Sequence, residues 1–278
     1  MKLISTLCEG LDHPEGVAWA NDGYLYSGGE AGQIYRIDPM SGQFSEIANT
    51  GGAILGVTVN RDGAIYVCDR KRRAVIRLDR SGFMSVVSAG SQRRPFVMPN
   101  YAVFTRSGDL LVSDSGDWLG DDGCIHLIRP SGETTVWSEN APAFTNGLAL
   151  APDARSLAVV ESTGPRISRI EINDDGSAGR TSVIAELPGT VPDGVAYDAE
   201  GRLYVACYRP DQILRIDCDG RITVFADDFQ GTALGAPTNI AFGGTGHRTL
   251  YIANLGRWHI ATATVDVPGL PLASQSSH

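Results

Sequence analysis

Short alternations of apolar and polar residues, each closed by a turn rich in Gly, Asp or Asn, recur along almost the whole chain. A period of two is that of β-strands. Aligned on their turn residues, the alternations form six copies of one unit, spaced by about 40 to 47 residues. The first three copies begin Pro14-Glu15-Gly16-Val17-Ala18-Trp19, Ile54-Leu55-Gly56-Val57-Thr58-Val59 and Pro99-Asn100-Tyr101-Ala102-Val103-Phe104. The others begin Thr145-Asn146-Gly147-Leu148-Ala149-Leu150, Pro192-Asp193-Gly194-Val195-Ala196-Tyr197 and Pro237-Thr238-Asn239-Ile240-Ala241-Phe242. In each copy the same place closes a turn: Gly23, Gly63, Gly108, Ala154, Gly201 and Gly246.

A second, third and fourth strand follow, as in Arg202-Leu203-Tyr204-Val205, Gln212-Ile213-Leu214-Arg215-Ile216-Asp217 and Ile222-Thr223-Val224-Phe225. Four short strands at this period make a propeller blade. Small residues alternate with large ones in the first strand, as suits sheets crowding an axis. The sixth copy supplies only three strands, ending near Ala263, while Leu3-Ile4-Ser5-Thr6-Leu7 precedes the first copy as a fourth strand would. The pattern therefore predicts an all-β, six-bladed β-propeller, closed by the N-terminal strand completing the last blade. Residues 1–265 form this single domain, and 266–278, rich in Pro and Ser, form a loose tail.

The composition fits: 33 Gly and 14 Pro in 278 residues suit many strands joined by tight turns. A net charge of -9 argues against nucleic-acid binding and against an anionic membrane surface, so Arg70-Lys71-Arg72-Arg73 reads as a solvated turn. Five cysteines without a CxxC pair suit buried thiols in a reducing compartment. The opening MKLISTLCEG turns polar too soon for a signal peptide, and no apolar run approaches a membrane span. A cytoplasmic protein with a small-molecule partner is expected; the oligomeric state is left open.

The repeat also places side chains. The second position holds Glu15, Leu55, Asn100, Asn146, Asp193 and Thr238, all entering the innermost strand at one mouth of the channel. Singly, Pro-Asp-Gly or Thr-Asn-Gly is a turn former. Four carboxylates or carboxamides from different blades at one level are less easily dismissed. Two carboxylates converging near an axis would repel, and a cation resolves that. Oxygen ligands without His or Cys suit Ca²⁺, Mg²⁺ or Mn²⁺ better than Zn²⁺, and a flexible ring with room for water favours one Ca²⁺.

Pro14-Glu15-Gly16, Pro99-Asn100, Asn146-Gly147-Leu148-Ala149-Leu150-Ala151-Pro152-Asp153 and Pro192-Asp193-Gly194 together resemble the senescence marker protein/gluconolactonase/luciferin-regenerating enzyme family over essentially the whole chain. The resemblance implies metal binding by Glu15, Asn146 and Asp193, with Asn100 in or beside the same shell. It also implies hydrolysis of lactones or related esters, with Asp193 beside the reacting water as base. Asp69, Asp114, Glu161 and Glu30 are alternative bases at the mouth ends of second strands. Where sugar-lactone members carry Arg-Pro-Asn-Asp, this chain reads Met98-Pro99-Asn100-Tyr101. Met98, Tyr101, Trp118, Phe144 and Tyr208 are therefore expected to wall the substrate pocket, with Phe96 and Trp258 nearby. The expected activity is metal-dependent hydrolysis of a lactone or cyclic ester less polar than a sugar lactone. A non-catalytic, metal-stabilised binding propeller uses the same features, and so does a hydrolase of a phosphoester or cyclic ketone. None of the five histidines has metal-ligand spacing, although His13 could reach the channel mouth.

Overall fold

The computed structural model describes residues 3–271. Six four-stranded antiparallel sheets lie in sequence order around an axis, as the repeat predicts. Their inner strands are Val17–Trp19, Ile54–Val59, Pro99–Phe104, Thr145–Leu150, Val191–Tyr197 and Pro237–Gly243. Five blades are built from consecutive strands. The sixth takes its outer strand from the N-terminus, where Ile4 pairs with Ala263 and Glu9 with His259. That pairing covers what would otherwise be an open sheet edge.

The turn between the first two strands of each blade reverses through the left-handed region. Gly23, Gly63, Gly108 and Gly201 have φ near 80–86°, while Ala154 adopts φ 58°. The glycines of the inner strands serve contact instead. A Cβ on Gly16, Gly56, Gly147 or Gly194 would collide with the neighbouring blade's backbone at Leu55, Asn100, Asp193 or Thr238. Inner strands can therefore approach closely around the axis. Between blades the sheets pack apolar side chains face to face. Tyr204 of blade five, for example, meets Phe242 of blade six edge-on at 5.2 Å.

Residues 266–271 were expected to begin a loose tail, yet they lie against blade five. Pro268 O accepts from Ala199 N at 2.8 Å, and Leu270 N donates to Tyr197 O at 3.0 Å. Leu270 and Pro271 help to line an apolar cavity of about 150 Å³ at one end of the channel. Residues 272–278 of the expected tail lie outside the described residues. Four cysteines are buried and Cys218 is exposed, with no disulfide among them. No helix among the described residues is long and apolar enough to cross a membrane.

Candidate active site

The inner strands do not pair regularly along their length. In blades two to six the register with the second strand shifts across the second and third repeat positions, at residues 55–56, 100–101, 146–147, 193–194 and 238–239. Such a bulge leaves these residues unpaired and re-aims their side chains. Asn100, Asn146 and Asp193 consequently meet at a single cavity of about 370 Å³, opposite the apolar one, and Glu15 joins them from the loop before Val17. Asn100, Asn146 and Asp193 are 2%, 3% and 7% exposed, and Glu15 is partly buried.

Two serines fix how the amides face. Ser115 Oγ donates to Thr145 O at 2.8 Å and so can only accept from the side chain of Asn100, whose Nδ2 lies 2.9 Å away. Ser162 Oγ repeats the arrangement one blade on, donating to Pro192 O at 2.6 Å and accepting from Asn146 Nδ2 at 3.1 Å. With each nitrogen committed, Oδ1 of both asparagines turns away from the serine. Those two oxygens and Asp193 Oδ1 are buried without a hydrogen-bond partner. A buried acceptor left unmade costs about 1–3 kcal/mol, so three in one cavity call for a common partner. Thr238 at the equivalent place in blade six is spent differently, donating to Glu15 O at 2.7 Å.

The two carboxylates are held unfavourably. Burial, only partly offset by the Asn146 side chain, pushes Asp193 up to about 7. Desolvation, then the negative charge of Asp193, raises Glu15 well above the usual carboxylate range, with Arg70 opposing the rise. Orphaned acceptor oxygens beside two mutually repelling carboxylates, all hard oxygen donors, fit a divalent cation such as Ca²⁺.

The apolar residues expected around the pocket divide. Met98, Trp118, Phe144 and Tyr208 line the cavity, and Trp118 meets Phe144 edge-on at 4.6 Å. Tyr101 does not. At the third repeat position, where four blades carry glycine, it fills the space beside Gly56 and lines the cavity at the opposite end. Phe96 is buried against His126 at 4.7 Å, and Trp258 packs at a tilt against His13 at 4.4 Å without lining the cavity. His13 does line it, with Nδ1 2.7 Å from Asp12 Oδ1.

Three of the alternative bases are structural. Asp69 accepts from Thr50 Oγ1 and the amides of Ala53 and Arg72. Asp114 takes the amides of Val97 and Met98, and Glu161 takes Arg166, Ser168 and Ala143 N. Each is at most 1% exposed and pins the backbone of the loop entering an inner strand. Only Glu30 of the four borders the cavity, where it pairs with Arg70 at 2.8 Å. Asp114, Cys124 and His126 also gather ligand atoms within 4.8 Å, but outside the channel. Burial keeps that thiol near 12 and depresses the imidazole to about 4, so both are neutral, while both Asp114 oxygens hold backbone amides.

The serine partners of Asn100 and Asn146 were missed in the sequence, although a signal was there. Among the six copies, the two with Asn at the second position have Ser immediately after the acidic residue that closes the second strand.

A family model described as the SMP-30/gluconolactonase/LRE-like region matches residues 13–255. The chain is 31% identical to a 6-deoxy-6-sulfogluconolactonase of Pseudomonas putida, an alignment spanning 86% of this chain and 81% of the relative. Among solved structures, a gluconolactonase of Xanthomonas campestris superposes with a TM-score of 0.82 at 20% identity, covering 95% of this chain and 89% of that one. A calcium-binding regucalcin of Agrobacterium tumefaciens gives 0.81 at 17% identity, covering 98% and 96%. At these identities the two structures speak for the fold alone.

Proposed function

The chain belongs to the SMP-30/gluconolactonase/LRE-like family, and from that premise we propose that it is a divalent-cation-dependent hydrolase of lactones. The family and its lactonase-named relative support hydrolysis of a lactone. The observation carrying the finer reading is the set of three orphaned oxygens, on Asn100, Asn146 and Asp193, at one cavity with Glu15. These four side chains would hold the cation, Ca²⁺ by its preference for oxygen ligands in a flexible shell. Such an ion supplies Lewis-acid polarisation of the ester carbonyl.

The chain's own residues do the rest. Asp193 accepts the proton of the attacking water as the new C–O bond forms at the carbonyl carbon, and returns it to the leaving alkoxide when the ester C–O bond then breaks. A carboxylate beside a dication is a weaker base than one alone, and burial of Asp193 works in the opposite direction. Met98, Trp118, Phe144 and Tyr208 exclude bulk water and press the ring toward the oxygens.

The same walls bear on the substrate. They offer few groups to satisfy sugar hydroxyls, and each hydroxyl buried without a partner costs about 1–3 kcal/mol. The substrate is accordingly a ring ester less hydroxylated than an aldonolactone. The test compares kcat/KM for gluconolactone and for an alkyl-substituted lactone of equal ring size, with and without chelator. Preference for the alkyl ring, lost on chelation, is expected. Preference for gluconolactone would refute the substrate reading, and turnover unaffected by chelation would refute the cation. Binding of a lactone without turnover would favour the non-catalytic propeller.

A further inference from the structure

We propose that Arg70 anchors the substrate and that the ring ester carries an anionic substituent, a carboxylate or sulfonate. This rests on the lactonase reading above and narrows its substrate class.

The charged residues of the mouth and its bulky aromatic and methionine side chains divide by blade, with Ile54 and Leu55 of blade two also in the lining. Blades one and two present Glu30 and Arg70, whereas Met98, Trp118, Phe144 and Tyr208 come from the chain of blades three to five. Among the described lining residues Arg70 is the only lysine or arginine. In a six-membered ring of blades, two and five are opposite, so Arg70 faces the Tyr208 side across the ligand oxygens. A ring lying against the apolar half turns a substituent toward the guanidinium.

Arg70 is also placed, not merely present. Its amide donates to Ala53 O at 2.9 Å, and the adjoining Asp69 carboxylate ties the same loop to Thr50, Ala53 and Arg72. At the far end, Nη2 donates to Glu30 Oε1 at 2.8 Å. The two side chains are 42% and 47% exposed, and a pair so wet contributes little to stability. Holding the fold together therefore does not account for it; orienting a planar fork does. The guanidinium makes no other hydrogen bond among the described residues, leaving donors that match a carboxylate or sulfonate. Arg70 lines the same cavity as Glu15, Asn100, Asn146 and Asp193. With a divalent cation balancing Glu15 and Asp193, Glu30 is the remaining carboxylate among the described lining residues, and without Arg70 it would repel an incoming anion.

The test uses the full chain and two readouts. In the first, kcat/KM is measured for a γ-lactone bearing a carboxylate, one bearing a sulfonate, and the neutral carboxamide of the same ring. The wild-type protein is expected to favour the anionic rings by about tenfold or more. Arg70→Gln should cut that ratio by at least about tenfold, chiefly through KM, and Arg70→Lys should restore part of it. The second readout needs no turnover: calorimetric binding of tetrahydrofuran-2-carboxylate and of its carboxamide, with Ca²⁺ and with chelator. A carboxylate bound only by the cation would lose affinity with chelator and none with Arg70→Gln, which would overturn the inference. An unchanged ratio in Arg70→Gln, or a wild-type preference for the neutral ring, would overturn it too. Arg70-dependent binding without hydrolysis of any lactone would sink the lactonase reading and leave this one standing.

Discussion

Ser162→Ala removes one hydroxyl that serves two blades. Ser162 Oγ accepts from Asn146 Nδ2 at 3.1 Å and donates to Pro192 O at 2.6 Å, the residue before Asp193. Its loss leaves a buried amide N–H and a carbonyl short of partners, at about 1–3 kcal/mol each where no water replaces it. It also frees the Asn146 amide to rotate, so that Oδ1 no longer faces the cavity all the time. Removing a group that orients a metal ligand typically weakens the metal by about 10–100-fold, or roughly 1.4–2.7 kcal/mol. Ca²⁺ titration by calorimetry measures that loss directly, and melting in Ca²⁺ and in chelator separates it from the general cost. Ser168→Ala is the control. Its hydroxyl is as buried and bonds Glu161 at 2.6 Å, away from the cavity. It should lower stability to a similar extent and leave Ca²⁺ affinity alone. If Ser162→Ala destabilises the fold as Ser168→Ala does and binds Ca²⁺ with wild-type affinity, the orienting role is wrong.

Asp193→Asn should keep the fold and lower turnover by about 10²-fold or more, measured with Ca²⁺ binding followed in parallel; full activity with the ion still bound would move the base elsewhere. In chelator, Asp193 has a folded pKa near 7, above that of an ordinary carboxylate near 4, so the native state binds the extra proton between those values. Its contribution to stability is thus present at low pH and declines from about pH 4 to 7. Urea melts across that range should show the decline in chelator and a shallower one in Asp193→Asn, where burial still holds Glu15 high. Because the ion displaces that proton, apparent Ca²⁺ affinity should fall by up to about tenfold per unit as pH drops from 7 to 5. A pH-independent affinity would contradict the raised carboxylates. Deleting residues through Leu7 should uncover the edge of His259–Thr264 and cause aggregation or a large drop in melting temperature; a monomer with unchanged melting would show that closure is dispensable.

The blades and their closure were legible because the repeat shows each position six times, so Glu15, Asn100, Asn146 and Asp193 could be read as one level before any coordinates. What the repeat could not show is which way a residue turns inside a bulge. Tyr101 follows a ligand-level residue and was expected in the pocket, yet it faces the opposite end of the channel. Asp69, Asp114 and Glu161 looked like candidate bases because acidic side chains at a channel mouth read as chemistry. Only the loops folding back onto them reveal that every one is consumed by backbone amides or by side-chain donors. Met98 and Phe144 reach the cavity from loops entering inner strands, Trp118 from the loop after a second strand, and Tyr208 from the end of the second strand of blade five. The segment 266–271 carried no strand signal, since its bonds to blade five depend on shape and not on alternation.

Where a cation binds decides the role of the four channel oxygens most directly. A crystal structure of the protein grown in Ca²⁺, with Mn²⁺ substituted for anomalous scattering, locates the ion independently of activity. One ion is expected in the channel, about 2.3–2.6 Å from oxygens of Glu15, Asn100, Asn146 and Asp193 when it is Ca²⁺. An ion bound elsewhere, or a channel without density at saturating Ca²⁺ while Oδ1 of Asn100 and Asn146 hydrogen-bonds only water, would contradict the account.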